Sequence, residues 1–249
     1  MKSAVVWSLA AFLILASPVN AQIEGAPSFG SKNTFAAFVD YSNDSSHIVL
    51  GNAEGRKFTE LGFQYERRLK SNRHLVWKYT AEFRPLIAES DLTVVETIVE
   101  TSPPPAQTIV LAPVASPQCR PFSESFSVTD PTTGVLDAGT VTINCGRRWT
   151  YVEGLSPLGT RINLLPHRRW QPTGSILTGI LLSSKKIPVD TGGSFNFTFQ
   201  LGAGVEYFRT PSQSLRLEYQ IQHFSNAYTA PTNYGVDNGL LKLTYTFGR

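Results

Sequence analysis

Residues 195–207 read FNFTFQLGAGVEY, and in this stretch apolar residues alternate with polar or small ones along its whole length. Side chains two apart in a β-strand point to the same face, so the stretch predicts a strand with one apolar and one polar face. The same alternation recurs at residues 60–66, 75–83, 215–222 and 241–247, and more weakly at 34–42, 158–165 and 173–183. The chain therefore contains eight predicted strands.

The polar faces of these strands carry many charges, and this leaves two folds open. The charged residues are Glu60, Glu66, Lys78, Glu82, Arg84, Glu206, Arg216 and Glu218. A soluble periplasmic β domain would bury its apolar faces and expose these charges to water. A membrane barrel would expose its apolar faces to lipid, and several of the strands approach the length of about 9–11 residues that a tilted membrane strand needs.

The connections between the predicted strands favour the membrane barrel. Short connections lie near residues 71–73, 166–170 and 210–213, and they alternate with long ones near 43–57, 88–156, 184–194 and 226–236. Outer-membrane barrels have short periplasmic turns and longer external loops. We therefore predict an all-β fold, an eight-stranded antiparallel transmembrane β-barrel with a long second external loop.

The N-terminal segment has the features of an export signal. Lys2 precedes an apolar run at residues 4–16, and small residues follow up to Ala21. This order is typical of a secretory signal peptide. We expect residues 1–21 to be removed and residues 22–249 to form the barrel domain, in the outer membrane of a Gram-negative-type bacterium.

The segment at about 88–156 is an insertion that contains both cysteines of the chain. Cys119 and Cys145 flank a predicted hairpin centred on residues 130–134. An exported protein permits disulfides, so we expect the two cysteines to pair. The sequence assigns no chemistry to this insertion.

One group of residues has a pattern that suggests catalysis. His223 and Ser225 lie two apart at the end of the seventh strand, so they share its apolar, outward face. Asp237 lies an even number of residues from the apolar, outward-facing residues of the eighth strand, so it is also expected to point outward. It lies at the same external end of the barrel. A serine nucleophile, a histidine base and an orienting acid form a hydrolytic triad, and Asn226 is placed to donate to an oxyanion. The alternative is that His223, Ser225 and Asn226 only begin a polar loop and that Asp237 only caps it. The other histidines, His47, His74 and His167, are expected to be solvated in loops or turns.

The same residues resemble the outer-membrane lipid A 3-O-deacylase family. The resemblance rests on His223-Phe-Ser225-Asn226-Ala227 and, after the family's gap, Asn233-Tyr-Gly235-Val-Asp237. It implies that Ser225, His223 and Asp237 are the triad and that Asn226 contributes to the oxyanion hole. Well-known members carry Glu where this chain has Asp237. The resemblance covers the barrel but not the insertion around residues 92–148.

The resemblance implies a serine esterase of the outer leaflet. Its substrate would be lipid A of lipopolysaccharide, cleaved at the ester of the 3-position hydroxyacyl chain, with no metal or organic cofactor. Outer-membrane lipids are the expected surroundings, a homodimer is left open, and the net charge of +3 is too balanced for a nucleic-acid binder. Cations expected in external loops, where they could meet lipid phosphates, are Arg147, Arg148, Lys185 and Lys186.

Two other functions fit the same sequence. A phospholipase would use the same triad on a diacyl phospholipid. A non-catalytic small barrel would use its external loops, above all the insertion, for adhesion or structure.

Overall fold

The protein, examined as a computed structural model, consists of β-strands joined by turns and loops. The structure describes residues 29–42, 44–45 and 47–248, so the predicted signal peptide at 1–21 lies outside the described residues. The strands in chain order are β1 (Asn33–Ser42), β2 (Lys57–Ser71), β3 (Leu75–Ser102), β4 (Gln107–Val110), β5 (Val114–Ala115), β6 (Phe122–Thr129), β7 (Leu136–Leu164), β8 (Trp170–Ile187), β9 (Gly193–Thr210), β10 (Gln213–Ser225) and β11 (Val236–Gly248). Among the described residues, none belongs to an apolar helix that could span a bilayer.

Eight of these strands close into a ring. Each pairs antiparallel with the next in the order β1, β2, β3, β7, β8, β9, β10 and β11, and β11 pairs back with β1. Val39 of β1 lies opposite Leu243 of β11, for example. Closure gives every ring strand two neighbours and removes the exposed sheet edge. The prediction of an eight-stranded antiparallel barrel is confirmed.

The two faces of the ring have opposite chemistry. All the charged residues predicted on the polar strand faces are buried inside the barrel. The outward residues are apolar and exposed, such as Leu215, Leu217 and Tyr219 of β10. In water this arrangement would be unfavourable, because the hydrophobic effect places apolar side chains away from solvent. The barrel is therefore a transmembrane barrel with its apolar surface toward lipid.

Ion pairs hold the barrel interior together. Arg216 Nη1 lies 3.0 Å from Glu66 Oε1, and Arg216 Nε lies 2.9 Å from Glu218 Oε2. Arg161 Nε and Lys78 Nζ contact Glu66 as well, at 2.9 and 2.7 Å. A buried charge is costly alone, so these mutual contacts offset the loss of hydration for each member.

Removing Arg216 is expected to destabilise the barrel. An Arg216→Met variant leaves the buried carboxylates of Glu66 and Glu218 short of a cation, which costs about 3–5 kcal/mol of unfolding free energy. Urea unfolding in lipid vesicles, followed by tryptophan fluorescence, measures the change. The control is Arg209→Met, because Arg209 is exposed. Equal stability of the two variants would contradict a structural role for the interior ion pairs.

The insertion is largely sheet, which differs from the predicted loop at about 88–156. β3 continues to Ser102 and β7 begins at Leu136, and they stay paired from Glu89 opposite Thr150 to Ser102 opposite Ala138. The two strands satisfy the backbone groups on each other's facing edges, so the pair can extend beyond the barrel. β4 and β5 pair with β3, and β6 pairs with β7, which widens this extension. The predicted hairpin around residues 130–134 is present, with the Gly134 N–H donating to Asp130 O at 2.8 Å.

The insertion is tied to the barrel end from which it rises. Cys119 and Cys145 form a disulfide. Arg56, which is fully buried, donates to the carbonyl oxygens of Ser116, Pro117 and Pro188, each at 2.9 Å. These bonds join the first long loop, the insertion and the β8–β9 loop at one end of the barrel. We call this the long-loop end.

An apolar cluster is buried at the long-loop end. Phe58 and Phe224 are at its centre, with ring centroids 5.6 Å apart in an edge-on arrangement. The buried members are Ala53, Phe58, Ile87, Val152, Leu181, Ile187, Phe224, Val236 and Leu240. Since Phe224 lies between His223 and Ser225 in β10, its burial fixes the end of the strand that carries both residues.

Candidate active site at the long-loop end

His223 and Asp237 meet across the β10–β11 pair. They are direct partners in the strand register, and His223 Nδ1 lies 2.6 Å from Asp237 Oδ1. The His223 side chain is 17% exposed and that of Asp237 is fully buried. The carboxylate thus accepts from Nδ1 and fixes the ring, so chemistry at this imidazole falls to Nε2.

Ser225 is the last residue of β10 and shares an outward face with His223. Its neighbours in sequence, Phe224 and Asn226, are buried, whereas Ser225 itself is half-buried. The structure therefore joins His223 to Asp237 by a hydrogen bond and places Ser225 one pleat beyond the histidine. Their roles in catalysis stay predictions.

Asn226 shapes the turn that follows the serine. Its Nδ2 donates to Thr232 O at 2.7 Å, and its own carbonyl oxygen accepts from the N–H and Oγ1 of Thr229 at 3.0 and 2.7 Å. Ala227 and Tyr228 have φ values of 50° and 61°, in the left-handed region that residues other than glycine rarely adopt. Such sparsely populated backbone conformations concentrate at functional sites.

The first long loop covers the acid, a contact that the sequence pattern does not indicate. Oδ2 of Asp237 accepts hydrogen bonds from the backbone N–H groups of Ile48, Val49, Leu50 and Gly51, at 3.1, 2.5, 2.9 and 2.8 Å. His47 does more than begin a solvated loop, because its Nδ1 donates to Gly51 O at 2.6 Å and its Nε2 lies 2.8 Å from Glu54 Oε1. The sequence signal that could have drawn attention here is the apolar run Ile48–Leu50 in an external loop, followed directly by glycine.

Two glycines allow the loops to approach the His223–Asp237 pair. A Cβ on Gly51 would lie 2.5 Å from the backbone nitrogen of Asp237 and 2.8 Å from its Cγ. A Cβ on Gly235 would lie 2.8 Å from Cε1 of His223. Real Cβ contacts are longer than this, so only glycine fits at either position without displacing the pair.

Exposed aromatic rings border the site on the lipid-facing surface. In the β9–β10 register, Phe199 lies opposite His223 and Phe197 lies opposite Ser225. Both rings are exposed, and Phe195 packs edge-on against Phe197 with centroids 5.1 Å apart. The half-buried serine and histidine thus lie beside a surface that suits hydrocarbon.

The cations expected in external loops lie on strands, because β7 and β8 extend past the barrel. Arg148 contacts Asp91 and Asp190, and Arg147 donates to Gly55 O at 2.8 Å. Lys185 and Lys186 belong to β8. Burial opposes ionisation of Asp190, but the N–H of Ala115 and the Arg148 guanidinium outweigh it and hold the pKa of Asp190 below its ordinary value. Arg148 therefore has carboxylate partners of its own within the protein.

The part of the chain from β7 to β11 is similar to a known protein family. Residues 138–246 match the family model described as Lipid A 3-O-deacylase (PagL). Over this segment the chain is similar to PagL. The match confirms the family resemblance indicated by the sequence, and it includes His223, Ser225, Asn226 and Asp237. Most of the insertion lies outside the PagL match.

Two solved structures show a distant likeness to this chain. Neisserial surface protein A (NspA) is 11% identical with a TM-score of 0.44, over 88% of this chain and 98% of that chain. OccK2 (OpdF) of Pseudomonas aeruginosa is 8% identical with a TM-score of 0.16, over 89% and 99%. No curated protein matches the chain. The barrel assignment rests on the strand pairing described above.

Proposed function

We propose that this protein is an outer-membrane serine esterase that removes an ester-linked acyl chain, the 3-position hydroxyacyl, from lipid A of lipopolysaccharide. The observation that carries the proposal is the 2.6 Å hydrogen bond from His223 to a buried Asp237, with Ser225 on the same strand face. The PagL match over residues 138–246 supports the substrate class.

The proposed reaction follows the usual division of roles in a serine hydrolase. Ser225 Oγ attacks the ester carbonyl carbon while His223 Nε2 takes its proton, and Asp237 stabilises the imidazolium. The tetrahedral intermediate collapses to an acyl-enzyme, and His223 returns the proton to the leaving sugar hydroxyl. Water then attacks the acyl-enzyme with His223 as base, which releases the fatty acid and restores Ser225.

An oxyanion develops on the carbonyl oxygen during both steps. One Nδ2 hydrogen of Asn226 is used on Thr232 O, so the amide has a second hydrogen to offer. The left-handed turn at Ala227 and Tyr228 also redirects backbone N–H groups directly after the serine. We propose that these donors together bind the oxyanion.

The position of the site fits a lipid substrate in the outer leaflet. The site lies at the long-loop end, which is external in outer-membrane barrels. Lipid chains can reach Ser225 laterally, across the exposed rings of Phe197 and Phe199. The apolar surface would hold the acyl chains while the ester meets the serine.

Mass spectrometry of lipid products tests the function directly. Purified protein in mixed vesicles of lipid A and diacyl phospholipid is expected to remove one hydroxyacyl chain from lipid A and to leave the phospholipid intact. Protein inactivated beforehand by a serine-directed phosphonate is the control, and it should release nothing. Lysophospholipid as the only product would favour a phospholipase. Neither product, with no labelling of Ser225 in folded protein, would favour a non-catalytic barrel.

A further inference from the structure

We propose that the segment His47–Gly51 of the first long loop belongs to this active site and contributes to its function. Its backbone N–H groups position Asp237, and its apolar tip, Ile48–Leu50, contacts the acyl chains of the lipid substrate. The proposal rests on the proposed esterase function and extends it to a part of the chain outside the PagL match.

The backbone donors leave Asp237 only one orientation. All four N–H groups of the segment's last residues point at a single oxygen, Oδ2. The carboxylate cannot rotate without losing these bonds, so Oδ1 stays directed at His223 Nδ1. A catalytic group held by fixed dipoles needs no reorganisation during the reaction, which is how preorganised sites gain rate.

The segment is fixed to both sides of the acid. Ser45 forms an isolated bridge with Asn238, directly after Asp237. Asn52 and Ala53 donate their N–H groups to Gly235 O, at 2.9 and 3.1 Å, just before it. Between these two attachments, the hydrogen bond from His47 Nδ1 to Gly51 O holds the ends of the segment together. The position of the loop therefore sets the position of the Asp237 carboxylate.

The side chains of the segment point away from the acid that its backbone holds. Ile48, Val49 and Leu50 are 40%, 60% and 75% exposed, the last being among the most exposed large apolar residues of the described chain. The tip is adjacent to the imidazole, because the point where a Gly235 Cβ would lie is 3.3 Å from Leu50 O and 2.8 Å from His223 Cε1. Exposed apolar side chains at such a place suit a hydrocarbon ligand, here the acyl chain beside the ester.

Gly51→Ala tests the positioning role. The new Cβ displaces the Asp237 carboxylate, so kcat for lipid A is expected to fall on the order of a hundredfold while KM stays within about twofold. Gly174→Ala is the matched control, because a Cβ there meets its nearest atoms at an ordinary 3.6 Å and its activity should be unchanged. In an Asp237→Asn background, Gly51→Ala should cause no further loss, since it acts through the acid. An additive loss would overturn the positioning role.

A second pair of variants covers the case in which Gly51→Ala does not fold. Leu50→Pro removes one N–H donor from an exposed residue, and Leu50→Ala keeps it. Both variants lose the leucine side chain, so the missing N–H donor alone is expected to give the proline variant the lower kcat. Equal kcat in these two variants would overturn the proposal.

The tip is tested by a change in KM. Val49→Ser with Leu50→Ser is expected to raise KM for vesicle-embedded lipid A about tenfold, the size of a lost apolar contact or two, with kcat retained. The matched control, Val135→Ser with Leu136→Ser, alters exposed residues of the distant hairpin and should leave KM unchanged. An unchanged KM in the tip variant would remove the acyl-chain contact from the proposal.

A measurement without substrate separates this proposal from the function it rests on. The Nδ1–H of His223, bonded at 2.6 Å, is expected to give a low-field proton resonance in nuclear magnetic resonance spectra. Gly51→Ala should lose this signal and Gly174→Ala should keep it. If the wild-type protein leaves lipid A intact, the proposed function fails, while the resonance still decides the positioning role. Retention of the signal in Gly51→Ala would overturn that role.

Discussion

Ser225→Ala is expected to lower kcat for lipid A deacylation by a factor on the order of 10⁶, with little change in KM. The reason is chemical, since no other group at the end of β10 would form the acyl-enzyme. The bound lipid would still contact the same apolar surface, so affinity should persist. The measurement is the rate of acyl-chain loss from lipid A, followed by mass spectrometry over a time course long enough to detect a residual rate.

Two controls make the serine result interpretable. Ser212→Ala changes a serine in the β9–β10 turn, at the opposite end of the barrel, and should deacylate at the wild-type rate. The β-sheet circular dichroism of Ser225→Ala should equal that of the wild type, because the lost hydroxyl lies at a strand end. The serine assignment would be defeated if Ser225→Ala released the acyl chain as fast as Ser212→Ala.

Asp237→Asn is expected to lower kcat by a factor on the order of 10⁴. The four N–H groups of the first long loop require an oxygen, so the asparagine would turn its oxygen toward them and its NH₂ group toward His223. An NH₂ group donates, so Nδ1 would have to accept, and the ring proton would move to Nε2. In that tautomer Nε2 cannot take the proton of Ser225.

The kinetics of Asp237→Asn should distinguish this effect from unfolding. KM for lipid A is expected to stay near the wild-type value, because the lipid-facing surface is unchanged. Asp44→Asn is the matched control, an exposed acid in the same loop region with no contact to the histidine. A loss of less than about tenfold in Asp237→Asn would mean that the acid does not set the imidazole tautomer.

The barrel was largely predictable because its signal is local. A period of two in residues 195–207 reports which face of a strand meets lipid, and no knowledge of the neighbours is needed. The insertion was harder to predict for the opposite reason. Residues 88–102 and 136–156 form strands mainly by pairing with each other, and each segment alone gives no indication of its partner.

The barrel, its lipid-facing surface and the meeting of His223 with Asp237 are all predictable from the residue pattern. Strand parity and equal distance from the β10–β11 loop are enough to place those two side chains together. The contacts that hold the acid are visible only in the folded protein. The contacts of Asp237 with residues 48–51 span nearly the whole barrel in sequence, and they use backbone N–H groups, which every residue type except proline carries. Side-chain patterns cannot reveal a site built from the backbone, so the closed ring that brings β1 beside β11 had to be seen first.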